Sequence, residues 1–203
     1  MSQDKMKILL VNPITRKYHK GISIQAQAPL GLLSLASVLR ENGHKIKLFD
    51  HNVENGIKDC LKFEPELIGV TAFTGPMILD ALHLSKIFRE RLEVPVCFGG
   101  VHASLLPVQT VSHPSIDMVV VGEGEEIIVE LAERIERRRD LESIKGLVWK
   151  KGNNGKTRIV ENEPRPLIRD LDALPFPAWD LIDERKYKAT SMGIERSSST
   201  LYS

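Results

Sequence analysis

The chain has 203 residues, 42% of them apolar, enough for one sizeable core with an appendage. Its 28 basic and 27 acidic residues leave a formal net charge of +1, which excludes the strongly basic surface of a nucleic-acid or anionic-membrane binder. No run approaches the roughly 18 apolar residues of a membrane span, the start MSQDKMK lacks the apolar core of a signal peptide, and two distant cysteines, Cys60 and Cys97, suit free thiols in a reducing cytoplasm.

Residues 6–11 (MKILLV) form a continuous apolar run, the mark of a strand covered on both faces. The run breaks at Asn12-Pro13, and the polar residues 15–27 lack a helical period and predict a long loop. Pro29 takes the first position of a helix through Leu32, Leu35, Ala36 and Leu39, which stops at Gly43. A second strand spans residues 45–49 and ends at Asp50; a weaker helix follows over 53–63. The third strand, 67–71, leads into the loop Thr71-Ala72-Phe73-Thr74-Gly75 and a helix over 76–91. The fourth, 94–98, ends in Gly99-Gly100. The fifth, 118–121, runs through Gly122-Glu123-Gly124-Glu125 into a closing helix to Arg139, whose basic last turn (134–139) suits the negative end of the helix dipole.

Five strand–loop–helix units predict a doubly wound, five-stranded parallel α/β sheet of the flavodoxin-like order 2-1-3-4-5, with the ligand loops at one edge. The pattern changes after Asp140. Segments 146–150 and 157–160 flank Gly152-Asn153-Asn154-Gly155 and predict a β-hairpin, an extension over 141–162 to the α/β domain of residues 1–140. Residues 163–183 are too proline-dense for a helix and too aromatic for a free linker, so they should lie extended against a surface. The tail, 197–203, carries no packing signal.

The chemistry is first defined by absences. GxGxxG does not follow the first strand, there is no P-loop Lys-Ser/Thr pair, and HExxH, GxSxG and metal-spaced His/Cys clusters are missing. What remains at the strand ends is small or hydroxylic. Gly99-Gly100 permits close approach of backbone to a ligand. Thr71 and Thr74 offer hydroxyls, and the Gly122-Glu123-Gly124-Glu125 turn offers amide N–H groups beside carboxylates that would repel phosphate. A large ligand rich in neutral amides suits these loops better than a nucleotide.

In order along the chain, Pro29-Leu30-Gly31-Leu32, Asp50, Gly99-Gly100-Val101-His102-Ala103, Asp117 with Val120-Val121-Gly122-Glu123-Gly124-Glu125, and Leu174-Pro175-Phe176-Pro177 resemble the N-terminal half of cobalamin-dependent radical SAM proteins, of the methyltransferase and oxidative cyclase type. The resemblance implies that the strand ends hold cobalamin with its nucleotide tail inserted among them. On this basis Asn12, Pro13, Leu30, Gly31, Asp50, Thr71, Thr74, Gly99, Gly100, Val101, His102, Gly122, Glu123, Gly124 and Glu125 are the expected cofactor-binding residues, with no catalytic or metal-ligating residue in this chain. The 4Fe-4S cluster and S-adenosylmethionine would belong to a radical SAM barrel beyond residues 163–203, the bridge towards it.

Mutase-type cobalamin domains carry DxHxxG, whose histidine binds cobalt. Here the aligned run is Asp50-His51-Asn52-Val53-Glu54-Asn55-Gly56, with Asn52 in the histidine's place and His51 one residue off. The expected state is therefore base-off cobalamin without a protein histidine ligand. His102, after the diglycine, is expected to bond the nucleotide tail or backbone, and Gly100→Val to block the tail channel in a folded domain. Two other readings remain open: a stand-alone corrinoid or flavin/nucleotide-binding flavodoxin-like domain, and an interaction domain without ligand.

Overall fold

In a computed structural model describing residues 5–14, 27–153, 156–191 and 194–197, the first apolar run forms β1 (Lys7–Asn12), buried at every position after Lys7. Such a strand needs cover on both faces. It receives parallel neighbours β2 (Lys45–Asp50) and β3 (Leu67–Thr71), and the sheet continues through β4 (Val96–Gly99) and β5 (Met118–Val120) in the order β2-β1-β3-β4-β5.

Alternation along the strands divides the core into two layers. Ile8, Leu10, Leu67, Cys97, Met118 and Val120 pack with α1 (Leu30–Glu41) and α6 (Glu125–Glu136). Leu9, Val11, Ile68, Val70, Phe98 and Val119 pack on the other face, with Cys60 of α2 (Ile57–Lys62), Leu84 and Phe88 of α3 (Pro76–Leu92), Ala103 of α4 (Val101–Leu105) and Val111 of α5 (Pro107–Val111). Each fully buried Leu, Ile or Phe contributes about 1.5–3 kcal/mol.

The sheet has seven strands, two more than the sequence predicts. β6 (Leu147–Asn153) pairs antiparallel with β5, and β7 (Lys156–Glu161) antiparallel with β6. The hairpin is thus an extension of the main sheet. An open β5 edge would leave a row of unpaired N–H and C=O groups. β6 also alternates to suit both layers: Leu147 and Trp149 join the α1/α6 side and Val148 the other.

Three boundaries differ from expectation for local reasons. Pro29 precedes α1 as its cap instead of occupying its first turn. α2 starts later than predicted because Asp50 holds the intervening residues in a turn: its carbonyl accepts the N–H groups of Val53 and Glu54 at 3.1 and 2.9 Å, and its Oδ1 that of Asn52 at 2.9 Å. α6 ends before Arg139 because Arg138 takes a φ of 49°. The predicted loop 15–27 lies outside the described residues except for Gln27, as does most of the tail 197–203; a two-stranded sheet pairs β8 (Lys188–Ser191) with β9 (Ile194–Ser197).

Residues 163–187 form a strap over α1 and α6, extended apart from 3₁₀ turns at Leu171–Ala173, Trp179–Leu181 and Glu184–Lys186. Leu174, Trp179, Leu181 and Ile182 pack on the α1/α6 layer. The Ala178 N–H donates to Leu33 O at 3.1 Å, and Arg40 meets both Asp180 carboxylate oxygens at 2.7 Å.

At the opposite end of the sheet from the ligand loops, His44 is buried with neither ring nitrogen partnered among the described residues. Burial, followed by Lys5, lowers its pKa against weaker opposition from Glu136, Glu133 and Glu66. The unfolded chain therefore binds a proton that the folded chain resists, and stability declines as pH falls below about 6.5, levelling once the lower folded value is passed. Replacing His44 with leucine, of similar volume, should stabilise the fold by about 1–3 kcal/mol at pH 8 by removing unpaired buried nitrogens. The gain should be larger at pH 5.5, as measured by urea unfolding at both pH values.

Candidate functional site

The carboxyl ends of β3, β4 and β5 do not close against α1 and α6. They leave a cleft of about 260 Å³ whose lining includes Leu10, Leu32, Leu35, Gly69, Cys97, Val120 and Ile128. Its floor follows from register and pleat: Leu10 lies opposite Gly69, and Gly69 opposite Cys97. A Cβ on Gly69 would stand 2.9 Å from Leu10 Cδ2, so the bare backbone of the central strand gives the cleft its depth. Sequence reading missed Gly69; an isolated glycine within an apolar strand was the available signal.

Of the predicted residues, Gly31, Thr71, Gly99, Gly100, Gly122, Glu123, Gly124 and Glu125 line this cleft. Gly31 lies one helical turn before Leu35, on the same face of α1, and a Cβ there would meet nothing within 4 Å. Gly124 lets α6 start close to α1; its Cβ would stand 3.1 Å from Leu35 Cδ2.

Both rim carboxylates already have protein partners. Glu123 accepts the Ile168 N–H of the strap at 2.6 Å, and Glu125 accepts the Ser34 hydroxyl at 3.0 Å. The Gly122 N–H donates to Ser104 Oγ at 3.0 Å, tying the β5 loop to α4. Behind this loop, Arg165 of the strap pairs with Glu126 and Glu130.

Asn12, Pro13, Leu30, Asp50, Thr74, Val101 and His102 do not line the cleft. Thr74 and His102 meet each other on the rim, Oγ1 to Nδ1 at 3.2 Å, and the exposed Val101 begins α4. Asp50 is buried, with Oδ1 taken by Asn52 and Oδ2 by the Tyr187 hydroxyl at 2.9 Å. Burial and the adjacent Asp50 carboxylate drive the Tyr187 pKa upwards, so the phenol remains a donor. The strap therefore returns to the carboxyl end of β2, whose loop is tied to the exit of β1: Asn12 O accepts the His51 N–H and Pro13 O the Asn52 side-chain amide.

His51 Nδ1 lies 2.8 Å from Asp80 Oδ2, and the same oxygen accepts the Ile14 N–H at 2.8 Å. The imidazole packs against Phe49 with ring centroids 5.5 Å apart. Cys97 is buried at the cleft floor, its thiol pushed up to about 12 by burial, and burial raises Cys60 to about 11. Neither is a thiolate at neutral pH. Among the described residues no group of three His, Cys, Asp or Glu could hold a metal ion.

Residues 25–132 match the B12 binding domain family, a stretch from α1 into α6 that supplies every residue lining the cleft except Leu10. The chain belongs to that family. An uncharacterized methyltransferase of Pyrococcus horikoshii is 41% identical over 191 residues, covering 91% of this chain and 40% of that protein. The anaerobic magnesium-protoporphyrin IX monomethyl ester cyclase of Synechocystis is 30% identical, covering 90% of this chain and 37% of the cyclase. This B12 binding domain thus spans two fifths or less of those curated relatives. Among solved structures, the radical S-adenosylmethionine methyltransferase TsrM of Kitasatospora setae, with cobalamin and a [4Fe-4S] cluster bound, superposes with a TM-score of 0.61 at 26% identity, over 77% of this chain and 31% of TsrM. The cobalamin-dependent radical enzyme OxsB shares the fold, with a TM-score of 0.70 at 23% identity, over 88% of this chain and 25% of OxsB.

The B12 binding domain has space suited to part of its namesake ligand. Its cleft is smaller than the roughly 300–1,000 Å³ that encloses a drug-sized molecule. A cradle of that size fits a single ring system and not a whole corrinoid. Gly31 and Gly69 keep that cradle clear of side chains.

Gly100 lines the cleft, but a side chain added there would meet protein before it reached the ligand space. Its φ is +91°, and its Cβ would stand 2.9 Å from Thr71 Oγ1 and 3.0 Å from the Ala72 carbonyl oxygen, not in open cleft. Gly100→Val should therefore destabilise the fold by at least about 2 kcal/mol, through left-handed strain and backbone overlap. Chemical denaturation without ligand checks this: a midpoint equal to that of the parent chain would exclude the strain.

Proposed function

We propose that this chain is the cobalamin-holding half of a cytoplasmic radical SAM enzyme, acting in methyl transfer or ring formation at an unactivated carbon. The observation that carries the reading is the glycine-cleared cleft at the carboxyl edge of the parallel sheet, lined apart from Leu10 by the stretch that matches the B12 binding domain family. The methyltransferases and cyclases among the relatives support the parent activity, as does the radical SAM chemistry named for TsrM. No helix among the described residues is long and apolar enough to cross a membrane, and both cysteines are free thiols, which suits that compartment.

Bound cobalamin would supply the transferable methyl group or the cobalt redox chemistry. The chain's own residues would seat the nucleotide tail between Leu32, Leu35 and Ile128 and the floor of Gly69, Cys97 and Val120. Gly99 and Gly122 would allow the macrocycle to approach the strand ends. The 4Fe-4S cluster and S-adenosylmethionine are assigned to a further domain of the full-length protein, approached through the strap.

The cobalamin is proposed to be base-off and without a histidine ligand. Asn52, at the position aligned with the mutase histidine, bonds Pro13 and Asp50, while His51 has Nδ1 committed to Asp80 and lies outside the cleft lining. Titration with hydroxocobalamin should give a saturable base-off visible spectrum, unchanged in His51→Ala. A histidine-ligated spectrum lost in that variant would overturn the axial assignment, and no binding at all would overturn the cofactor reading.

Gly31→Leu separates fold from site. It places a side chain on the cleft face of α1, with its Cβ in open space, and raises helix propensity by up to about 1 kcal/mol. The variant should melt at or above the parent temperature and bind cobalamin at least tenfold more weakly by the same titration.

A further inference from the structure

The cleft has a chemical asymmetry that bears on which corrinoid it accepts. Its depth is apolar: Leu10, Leu32, Cys97, Val120 and Ile128 are all buried around Gly69. The floor backbone is committed to the parallel ladder through the Leu10–Gly69 and Gly69–Cys97 registers. The Cys97 thiol, the only polar side-chain atom among these, is a weak donor and lies 3.8 Å from the Phe98 carbonyl. The polar side chains of the lining lie at the rim: Thr71 ends β3 at its carboxyl edge, two residues beyond Gly69, and Glu123 and Glu125 already accept from Ile168 and Ser34.

Resting on the proposed cobalamin-binding role, we infer that this cleft selects the lower base of the corrinoid, accepting an apolar benzimidazole and discriminating against a purine. Beyond the nitrogen bonded to ribose, a benzimidazole has a single ring nitrogen, and its carbocycle can be buried at no polar cost. An adenine in the same place has three further ring nitrogens and an exocyclic amine. In the depth of this cleft those atoms would lose water without gaining partners, and an unmade buried hydrogen bond is costly. A site that satisfied a purine would need an amide, hydroxyl or free backbone group at its floor. This one has leucine, glycine, cysteine and valine.

Three corrinoids distinguish the outcomes: cobalamin, its adenine-tailed counterpart, and tail-less cobinamide, each titrated into the chain and followed by visible absorbance. Cobalamin should bind tightest, the adenine-tailed form about tenfold or more weakly, with cobinamide comparably weak. Equal affinity for the two tailed forms, both above cobinamide, would overturn the selection while leaving the tail in the cleft. Equal affinity for all three would overturn it by showing that the base makes no contact worth measuring. Failure of all three to bind would overturn the cobalamin reading itself. Val120→Thr, nearly isosteric, adds a hydroxyl at the floor and should narrow the gap between the two tailed corrinoids in a protein with unchanged circular dichroism. A gap unaltered in that folded variant would overturn the assignment of selection to the floor.

Discussion

Both faces of the parallel sheet must be covered, because its strands are apolar on both sides and a bare face would return that surface to water. Everything at the carboxyl edge depends on how this cover is completed. On one face α2 to α5 meet the sheet through Phe49, Phe88 and Phe98. On the other, α1 and α6 close over Leu10 and Val120, but Gly69 on β3 and Gly31 on α1 leave the seal incomplete. The cleft is the region where a layer of core stops short. Its apolar character follows because it is lined by the residues that would otherwise have been core.

The strap is bound up with the same edge. It leaves the β6–β7 hairpin, passes Glu123 at the cleft rim, crosses α1 beside Leu33 and Arg40, and ends with Tyr187 on Asp50. Its hydrogen-bonded contacts thus reach two opposite sides of the loop cluster. The Tyr187–Asp50 bond is buried and the carboxylate receives further donors from Asn52, a satisfied arrangement in which losing one partner is more costly than the bond's own net worth. The Arg40–Asp180 pair is exposed and contributes less despite its short, two-pronged geometry. Position along the strap is therefore held chiefly by the apolar packing of Leu174 and Trp179 and by the buried tyrosine.

Several residues with motif-like appearance are engaged in holding loops. Asp50, Glu123 and Glu125 all accept hydrogen bonds from protein, and Asp80 gathers His51 and the Ile14 N–H beyond β1 into one cluster. These contacts orient the loops whose glycines flank the ligand space. Side chains at such an edge can serve the ligand indirectly, by fixing where backbone stands.

The amino-acid sequence by itself determined the order of the five parallel strands, the two-layer cover and the edge at which the glycine-rich loops gather. These properties follow from local periodicity and from the right-handed crossovers that parallel strands require. It also located most of the glycines around the cleft and carried a resemblance whose B12 binding part the match over residues 25–132 establishes. Tertiary structure alone decided the rest. The hairpin's union with β5 depends on an open edge and on burial of Leu147, Val148 and Trp149, none of which a local turn signal records. Asp50's engagement with Tyr187 spans 137 residues of chain. Gly69 and Gly100 look alike in sequence, yet one keeps a cavity open and the other avoids the Ala72 backbone, because a glycine's task is set by what its absent Cβ would have touched.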